Sequence, residues 1–349
     1  MRILSVSWEC PVGWYGGLGV YLSRLLPEMA GEHEVDHYCL HGDVPIGDPY
    51  VYHGVRVIRP EDVLVDKNQS VFYRSAVALA SHLYKHIGRY DLVIGHDAHS
   101  SLVVIYAFHS GVKTIYSLHL FSFQGIDIDA VNHSSAVIVN SWLLGRKVLG
   151  IASVGNMHVV YPAPPYPLVG DPPEKNNGKP VILIPSRFQF NKDPSRVLPY
   201  LEEARKKIDF SVVVFGRGSE LYSKALPSWI SIAGTVSEQE KINLYRRADL
   251  TLMVGFPEPF GLVSLESISQ GTPVIVPDTS GSAEVLPSES VYTLDNLAEK
   301  IVWLLEERER LLQLWEKQRR SWIMQRSWRD VWMDYDSVIK GIGRSASHV

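Results

Sequence analysis

Short apolar runs bounded by glycine and proline recur along the whole chain, and stretches with apolar residues three and four apart fall between them. Ile3-Leu4-Ser5-Val6 opens the series. A glycine-rich turn follows at Gly13-Trp14-Tyr15-Gly16-Gly17-Leu18-Gly19, then a predicted helix with Leu18, Leu22, Leu25, Leu26 and Met29 along one side. Further strands are predicted at 55–58, 91–95, 114–118, 136–140 and 158–161, with helical periodicity between several of them, as at 75–86. Strand and helix in alternation predict a mainly parallel sheet covered on both faces, with ligands gathered at the carboxyl ends of the strands.

The pattern breaks at Pro162-Ala163-Pro164-Pro165-Tyr166-Pro167 and Pro172-Pro173-Glu174-Lys175-Asn176-Asn177-Gly178, which continue neither helix nor sheet. A domain boundary is expected there. A second alternating series has strands at 181–185, 211–215, 229–233, 250–254 and 274–276 and helices at 194–207, 238–248 and 262–270. The expected fold is therefore α/β, with two doubly wound Rossmann-like domains facing a central cleft. The first domain spans 1–165 and is completed by a terminal helix at 327–349; the second spans 175–324. Residues 296–324 read as helical, and Ser327-Trp328-Arg329-Asp330 reads as a capping box that starts a new helix.

Bulk properties narrow the class. A chain of 349 residues with a formal net charge of −4 reads as a soluble, two-domain globular protein and not as a nucleic-acid binder. Its two cysteines, Cys10 and Cys39, are expected to be buried thiols in a reducing cytosol and not a disulfide. With no leader-like run and no apolar run near the roughly 18 residues of a membrane span, the expected location is cytoplasmic. Basic residues among Trp315, Trp322 and Trp328 also admit peripheral membrane or glycan contact, although tryptophans at helical spacing more often pack in a core.

The densest chemistry lies in Pro257-Glu258-Pro259-Phe260-Gly261-Leu262-Val263-Ser264-Leu265-Glu266. It reads as a loop after a buried strand followed by a helix start. Backbone amides of Phe260, Gly261 and Leu262 at that start suit a phosphate or sugar oxygen. Helical side chains lean toward the amino end, so Glu266 points back to the mouth that Glu258 flanks. A carboxylate accepts from both hydroxyls of a vicinal diol, and two glutamates suit two sugar rings. Taken without its context, such a pair is a loop glutamate in water and a helical one on a solvated face. Arg187 ends the strand at 181–185, and Lys192 precedes Asp193-Pro194, a good helix cap. Two fixed cations at a strand's ligand end suit a departing diphosphate.

The segment from Glu258 to Glu266, continued to Gly271-Thr272-Pro273, resembles the E-x7-E signature of retaining glycosyltransferases of the GT-B architecture, in particular family-four and glycogen-synthase-like enzymes. The resemblance implies that Glu258 and the following amides hold the donor sugar, while Glu266 binds the ribose of a nucleotide sugar. Arg187 and Lys192 resemble the family's diphosphate pair, with Asp193 where glycine is usual. Gly16 and Gly17 resemble its Gly-Gly-Leu loop, with Trp14 where bacterial glycogen synthases carry lysine. His119, in Ser117-Leu118-His119, resembles the histidine used at the donor sugar. His96, Asp97 and Glu9 resemble acceptor-side positions.

The implied activity is metal-independent, retaining transfer of a hexose from a nucleoside-diphosphate sugar to a sugar, glycan or glycolipid hydroxyl, without a cofactor. A sugar-nucleotide epimerase or isomerase on the same fold, or a non-catalytic carbohydrate-binding relative, are the alternatives. Asp127-Ile128-Asp129 reads as a loop or helix-start acid, and His96 with His99 lacks a third metal ligand. Gly216-Arg217-Gly218 lacks the third glycine of a dinucleotide fingerprint, which disfavours a dehydrogenase.

Overall fold

The computed structural model describes residues 1–13, 16–61, 71–121, 123, 125–173, 178–187, 189–224 and 226–342. Trp14, Gln124 and Phe188, which flank the glycine turn, His119 and Arg187 in sequence, lie outside them. The chain divides into two units, residues 1–162 with the segment from Ser327 onward, and residues 163–326.

The first unit carries β1 (Arg2–Val6), β2 (Glu34–Tyr38), β3 (Tyr50–Tyr52), β4 (Val55–Ile58), β5 (Leu92–His96), β6 (Lys113–Leu118), β7 (Ala136–Val139) and β8 (Met157–Val159). They form one sheet in the order β3-β4-β2-β1-β5-β6-β7-β8. Its described pairs are parallel except β3 with β4. Helices α1 (Gly17–Ala30), α2 (Val71–Leu83), α3 (Ser101–His109), α4 (Gly125–Asn132) and α5 (Trp142–Leu149) connect them. All five residues of β5 are buried, as expected for a strand with both faces covered. Strand order reverses at β1: β2 lies on one side and β5 on the other, a topological switch point where such sheets open a crevice.

The second unit repeats the plan with β9 (Val181–Pro185), β10 (Ser211–Phe215), β11 (Ile230–Gly234), β12 (Leu250–Leu252), β13 (Val274–Pro277) and β14 (Val291–Tyr292). The described pairs of this sheet, ordered β11-β10-β9-β12-β13-β14, are all parallel. Its helices are α6 (Leu198–Arg205), α7 (Glu238–Arg247), α8 (Leu262–Ser269), α9 (Leu294–Glu306) and α10 (Arg308–Arg319). Ile182, Ile184, Val212, Val214, Leu250 and Leu252 pack with Leu201, Leu297 and Ile301 in its core. The switch point here lies between β9 and β12.

A further helix, α11 (Trp328–Ile342), belongs to the first unit. It starts at a reciprocal cap: Asp330 Oδ2 accepts from the Ser327 amide at 2.7 Å, and the Asp330 amide donates to Ser327 Oγ at 3.1 Å. Its apolar side of Trp328, Val331, Trp332, Tyr335 and Ile339 is buried. Trp328 meets the Tyr21 ring of α1 edge-on at 5.1 Å, and Arg329 pairs with Glu32. Of the three tryptophans in the basic strip, Trp315 and Trp328 are thus packed, whereas Trp322 is exposed.

One expectation is corrected. Cys10 and Cys39 form a disulfide, with Cα atoms 5.1 Å apart. Each cysteine lies just beyond one of the neighbouring parallel strands β1 and β2, so the pairing follows from strand adjacency and not from sequence spacing.

Trp332 is fully buried and donates through Nε1 to Glu32 at 3.4 Å. Trp332→Ala is expected to destabilise the first unit by about 3–5 kcal/mol, and Trp332→Phe by clearly less. Urea unfolding of the full chain checks this; a cost below about 1 kcal/mol would mean that α11 does not close the core.

Candidate functional site

In the second unit, the loops after β9 and β12 flank the switch point and bind each other. The Phe256 amide donates to the Asn191 carbonyl at 2.9 Å, and Asn191 Nδ2 donates to the Pro257 carbonyl at 3.1 Å. Lys192 Nζ lies 3.0 Å from Glu258 Oε2, with both side chains largely buried. Such a pair is geometrically fixed in a way that a surface ion pair is not. Lys192 is anchored from behind by the Ser186 hydroxyl, which donates to its carbonyl. Asp193 accepts from the Ser195 amide at 2.9 Å, the helix cap that its sequence suggests.

Arg187 leaves β9 in the same loop, and its Nε donates to Gln189 Oε1 at 3.0 Å. The Tyr222 hydroxyl donates to the Arg187 carbonyl at 3.1 Å and accepts from the Gln189 amide at 3.0 Å, which holds the turn. Gly216, at φ 138°, backs onto this turn; a Cβ there would fall 2.7 Å from the Ser186 carbonyl. That glycine serves the Arg187 loop, a role its own sequence neighbours do not reveal.

The loop after β12 is held by the loop after β13. The Glu258 amide donates to the Thr279 carbonyl at 3.1 Å, and the Gly281 amide donates to the Glu258 carbonyl at 3.0 Å. Phe260, buried, accepts at its carbonyl from the Ser280 hydroxyl at 2.9 Å and the Ser282 amide at 3.0 Å. Gly261 then turns the chain at φ 91°, in the left-handed region, with Met253 Sδ 2.5 Å from where a Cβ would stand. Leu262 begins α8 directly after it. First-turn amides of a helix have no intrahelical acceptor, so this start offers donors to an anion.

Glu266, one turn into α8, is buried. Its Oε1 lies 3.2 Å from Lys241 Nζ, and its Oε2 accepts from the Tyr245 hydroxyl at 2.8 Å. Burial pulls the Lys241 ammonium down, but the Glu266 and Glu238 carboxylates outweigh it and the pKa rises. Burial, then the Glu266 charge, pushes the Tyr245 phenol well above its usual range. Lys241 and Tyr245 were not singled out by sequence; their spacing on one face of α7 was the available signal.

The first unit gathers a different set. β5 and β6 pair with His96 opposite Ser117, which brings the ends of the two strands together. His119 Nε2 lies 3.2 Å from His96 Nδ1 and 3.1 Å from Ser117 Oγ, and its backbone amide donates to Asp97 Oδ1 at 2.7 Å. Asp97 is held at φ 55°, a conformation that costs a non-glycine residue about 1–3 kcal/mol. Tyr21 meets the His119 ring edge-on at 4.7 Å, and the Tyr335 hydroxyl lies 2.8 Å from Ser117 Oγ. Tyr335 reaches this group from α11, with no local sequence signal.

Burial lowers His119 to about 3, and burial with the His119 charge holds His96 well below the usual range. Burial, aided by the Asp127 and Glu9 charges, raises Asp97 to about 7 against the His119 amide. His99 stacks on Trp8 at 4.4 Å. Asp127, the first acid of the D-x-D, is buried in α4 and accepts from Tyr116 and Ser101.

Glu9 follows β1 and is buried; its Oε2 accepts from the Gly16 amide at 3.1 Å and the Gly19 amide at 2.7 Å. The start of α1, with Gly17 as its first residue, is thus already met by a carboxylate of the chain. The structure therefore joins Lys192, Glu258 and Gly261 through directly bonded loops in the second unit. Glu266 stands with Lys241 and Tyr245; His96, Asp97 and His119 group in the first unit, as do Glu9 and Gly16.

Residues 15–163 match Glycosyltransferase Family 4, and residues 171–322 match Glycosyl transferases group 1. An uncharacterized glycosyltransferase of Methanocaldococcus jannaschii is 24% identical over 97% of this chain and 96% of its own length. The glycogen synthase of Mycobacterium tuberculosis is 26% identical over 82% of this chain and 80% of its own. Among solved structures, sucrose-phosphate synthase from Thermosynechococcus elongatus superposes with a TM-score of 0.79, at 16% identity, over 99% of this chain and 100% of that one. Anabaena HepE in complex with UDP and glucose superposes at 0.73, also 16% identical, over 98% and 100%.

Between about pH 6.5, where histidine ordinarily titrates, and the values near 3 to 4 to which burial lowers His119, His37 and His99, the unfolded chain binds protons that the folded unit refuses. Stability is therefore lost as pH falls below 6.5. Asp97, raised to about 7, keeps its proton when folded and opposes this with a single group. Hydrogen-exchange protection of the β5 and β6 amides, corrected for intrinsic rate, is expected to fall from pH 7 to pH 5. Unchanged or rising protection would contradict neutral, buried imidazoles.

Proposed function

We propose, on the match of residues 15–163 to Glycosyltransferase Family 4 and of residues 171–322 to Glycosyl transferases group 1 and on the GT-B fold, that this chain transfers a hexose from a nucleoside-diphosphate sugar to a hydroxyl acceptor, retaining anomeric configuration and using no metal. The observation that carries the reading is the union of Lys192, Glu258 and the Gly261 helix start at the second unit's switch point. It offers a cation, an acceptor and amide donors to a ligand that has both a diphosphate and hydroxyls. The relative solved with UDP and glucose is consistent with such a donor.

In this reading the bond from the anomeric carbon to the diphosphate oxygen breaks as the acceptor oxygen bonds to that carbon. The acceptor proton passes to the leaving phosphate on the same face. Arg187, Lys192 and the amides of Phe260, Gly261 and Leu262 hold the charge that builds on the diphosphate, and Gly16 and Gly17 flank the donor. Glu258 accepts from the sugar, Glu266 from the ribose diol, and His119 serves the transferred sugar. Glu9, His96 and Asp97 are assigned to the acceptor side, Glu9 through its hold on the start of α1.

Two predictions test the proposal. Nucleoside diphosphate release from a panel of sugar nucleotides is expected to depend on an added sugar acceptor and to persist in EDTA. Conversion of the sugar nucleotide without diphosphate release would favour an epimerase instead, and loss of activity restored by magnesium or manganese would defeat metal independence. Separately, Glu266→Ala is expected to weaken both the sugar nucleotide and the bare nucleoside diphosphate by about 1.5–3 kcal/mol. Glu258→Ala is expected to lower turnover while sparing the bare diphosphate, whose affinity calorimetry measures. Equal losses from both mutants would refute the division of roles.

A further inference from the structure

Lys241 stands where two carboxylates and two phenols meet. Its Nζ lies 3.2 Å from Glu266 Oε1 and 3.1 Å from Glu238 Oε2, and 5.3 Å from the centre of the Tyr166 ring. Its side chain is 15% exposed, so this is an enclosed ammonium and not a surface lysine swinging past an acid. Tyr166 also donates its hydroxyl to Glu238 Oε1, which fixes the second carboxylate. Tyr245, four residues on and on the same face of α7, donates to the other oxygen of Glu266.

The consequence for Glu266 is geometric. A carboxylate has about four acceptor sites, two per oxygen. Lys241 and Tyr245 occupy one on each oxygen, which fixes the plane of the group and leaves acceptor capacity on both. Two oxygens that each accept once more match the two hydroxyls of a vicinal diol. Without the lysine, Glu238 and Glu266 would face each other as like charges, and Glu266 would lose one of the two donors that hold its plane.

We propose that Lys241 is a positioning residue that orients Glu266 for a ribose diol and so sets the preference for ribonucleotides over 2′-deoxyribonucleotides. The proposal rests on the assignment of Glu266 to the ribose, and Lys241 acts through that carboxylate without touching the ligand.

Calorimetry with ADP, GDP and UDP and the 2′-deoxy counterpart of each tests it, on the full chain and on Lys241→Met, Lys241→Gln, Lys241→Arg and Glu266→Gln. For the base that binds, the native protein is expected to prefer the ribo form by about tenfold or more, as loss of one hydrogen bond to a charged group implies. Lys241→Met should reduce that preference to within about twofold by weakening the ribo form, while the deoxy form changes little; Lys241→Arg should restore most of it. Lys241→Gln supplies the same readout if the methionine variant does not fold. A lysine that only stabilises α7 would weaken both forms equally, and an unchanged preference in the folded Met or Gln variant overturns the proposal. If instead Glu266→Gln keeps the preference, Glu266 does not bind the diol, and the underlying assignment fails whatever Lys241 does.

Discussion

In each unit the winding of a parallel sheet reverses once, and the chemistry of the chain depends on those two reversals. Adjacent strands that leave a switch point in opposite directions cannot cover it with their own connections, so their carboxyl-end loops stay free to meet a ligand. Between β9 and β12 those loops carry Lys192 and Glu258, which neutralise each other at 3.0 Å. The ion pair thus fixes a loop that follows one strand to a loop that follows its neighbour, and the helix start at Gly261 is aimed by that connection.

In the first unit, neutral groups gather at the ends of β5 and β6. At its strand ends, His96, Ser117 and His119 exchange hydrogen bonds without a formal charge, and Asp97 is drawn toward its protonated form.

Most strands were legible because buried parallel strands are short apolar runs, as Val181–Pro185 and Ser211–Phe215 are. β2 was not, since Glu34-Val35-Asp36-His37-Tyr38 buries Asp36 and His37 through tertiary partners: Asp36 meets Arg56 at 2.6 Å, and His37 meets Ser5 at 2.9 Å. Missing β2 also concealed the Cys10 to Cys39 disulfide, which needs β2 beside β1. The local structure from Glu258 to Glu266 could be read because a loop, a glycine turn and a helix start are contiguous. Lys241, Tyr245 and Tyr335 could not, because each reaches its partner from another element and only the folded chain sets that distance.

α11 gives the molecule a particular order of assembly. The second unit is one unbroken stretch, so its core residues from Ile182 to Leu314 have all been translated before Trp328, Trp332 and Tyr335 exist. The first unit begins earlier in the sequence yet lacks these side chains until the second has left the ribosome. On a nascent chain the usual tendency of domains to complete themselves from the amino terminus is inverted here. Throughout that interval the side of α1 around Tyr21 stands open, and a ribosome halted before Ser327 would release a polypeptide with a finished second half and an apolar surface for chaperones and proteases to detect.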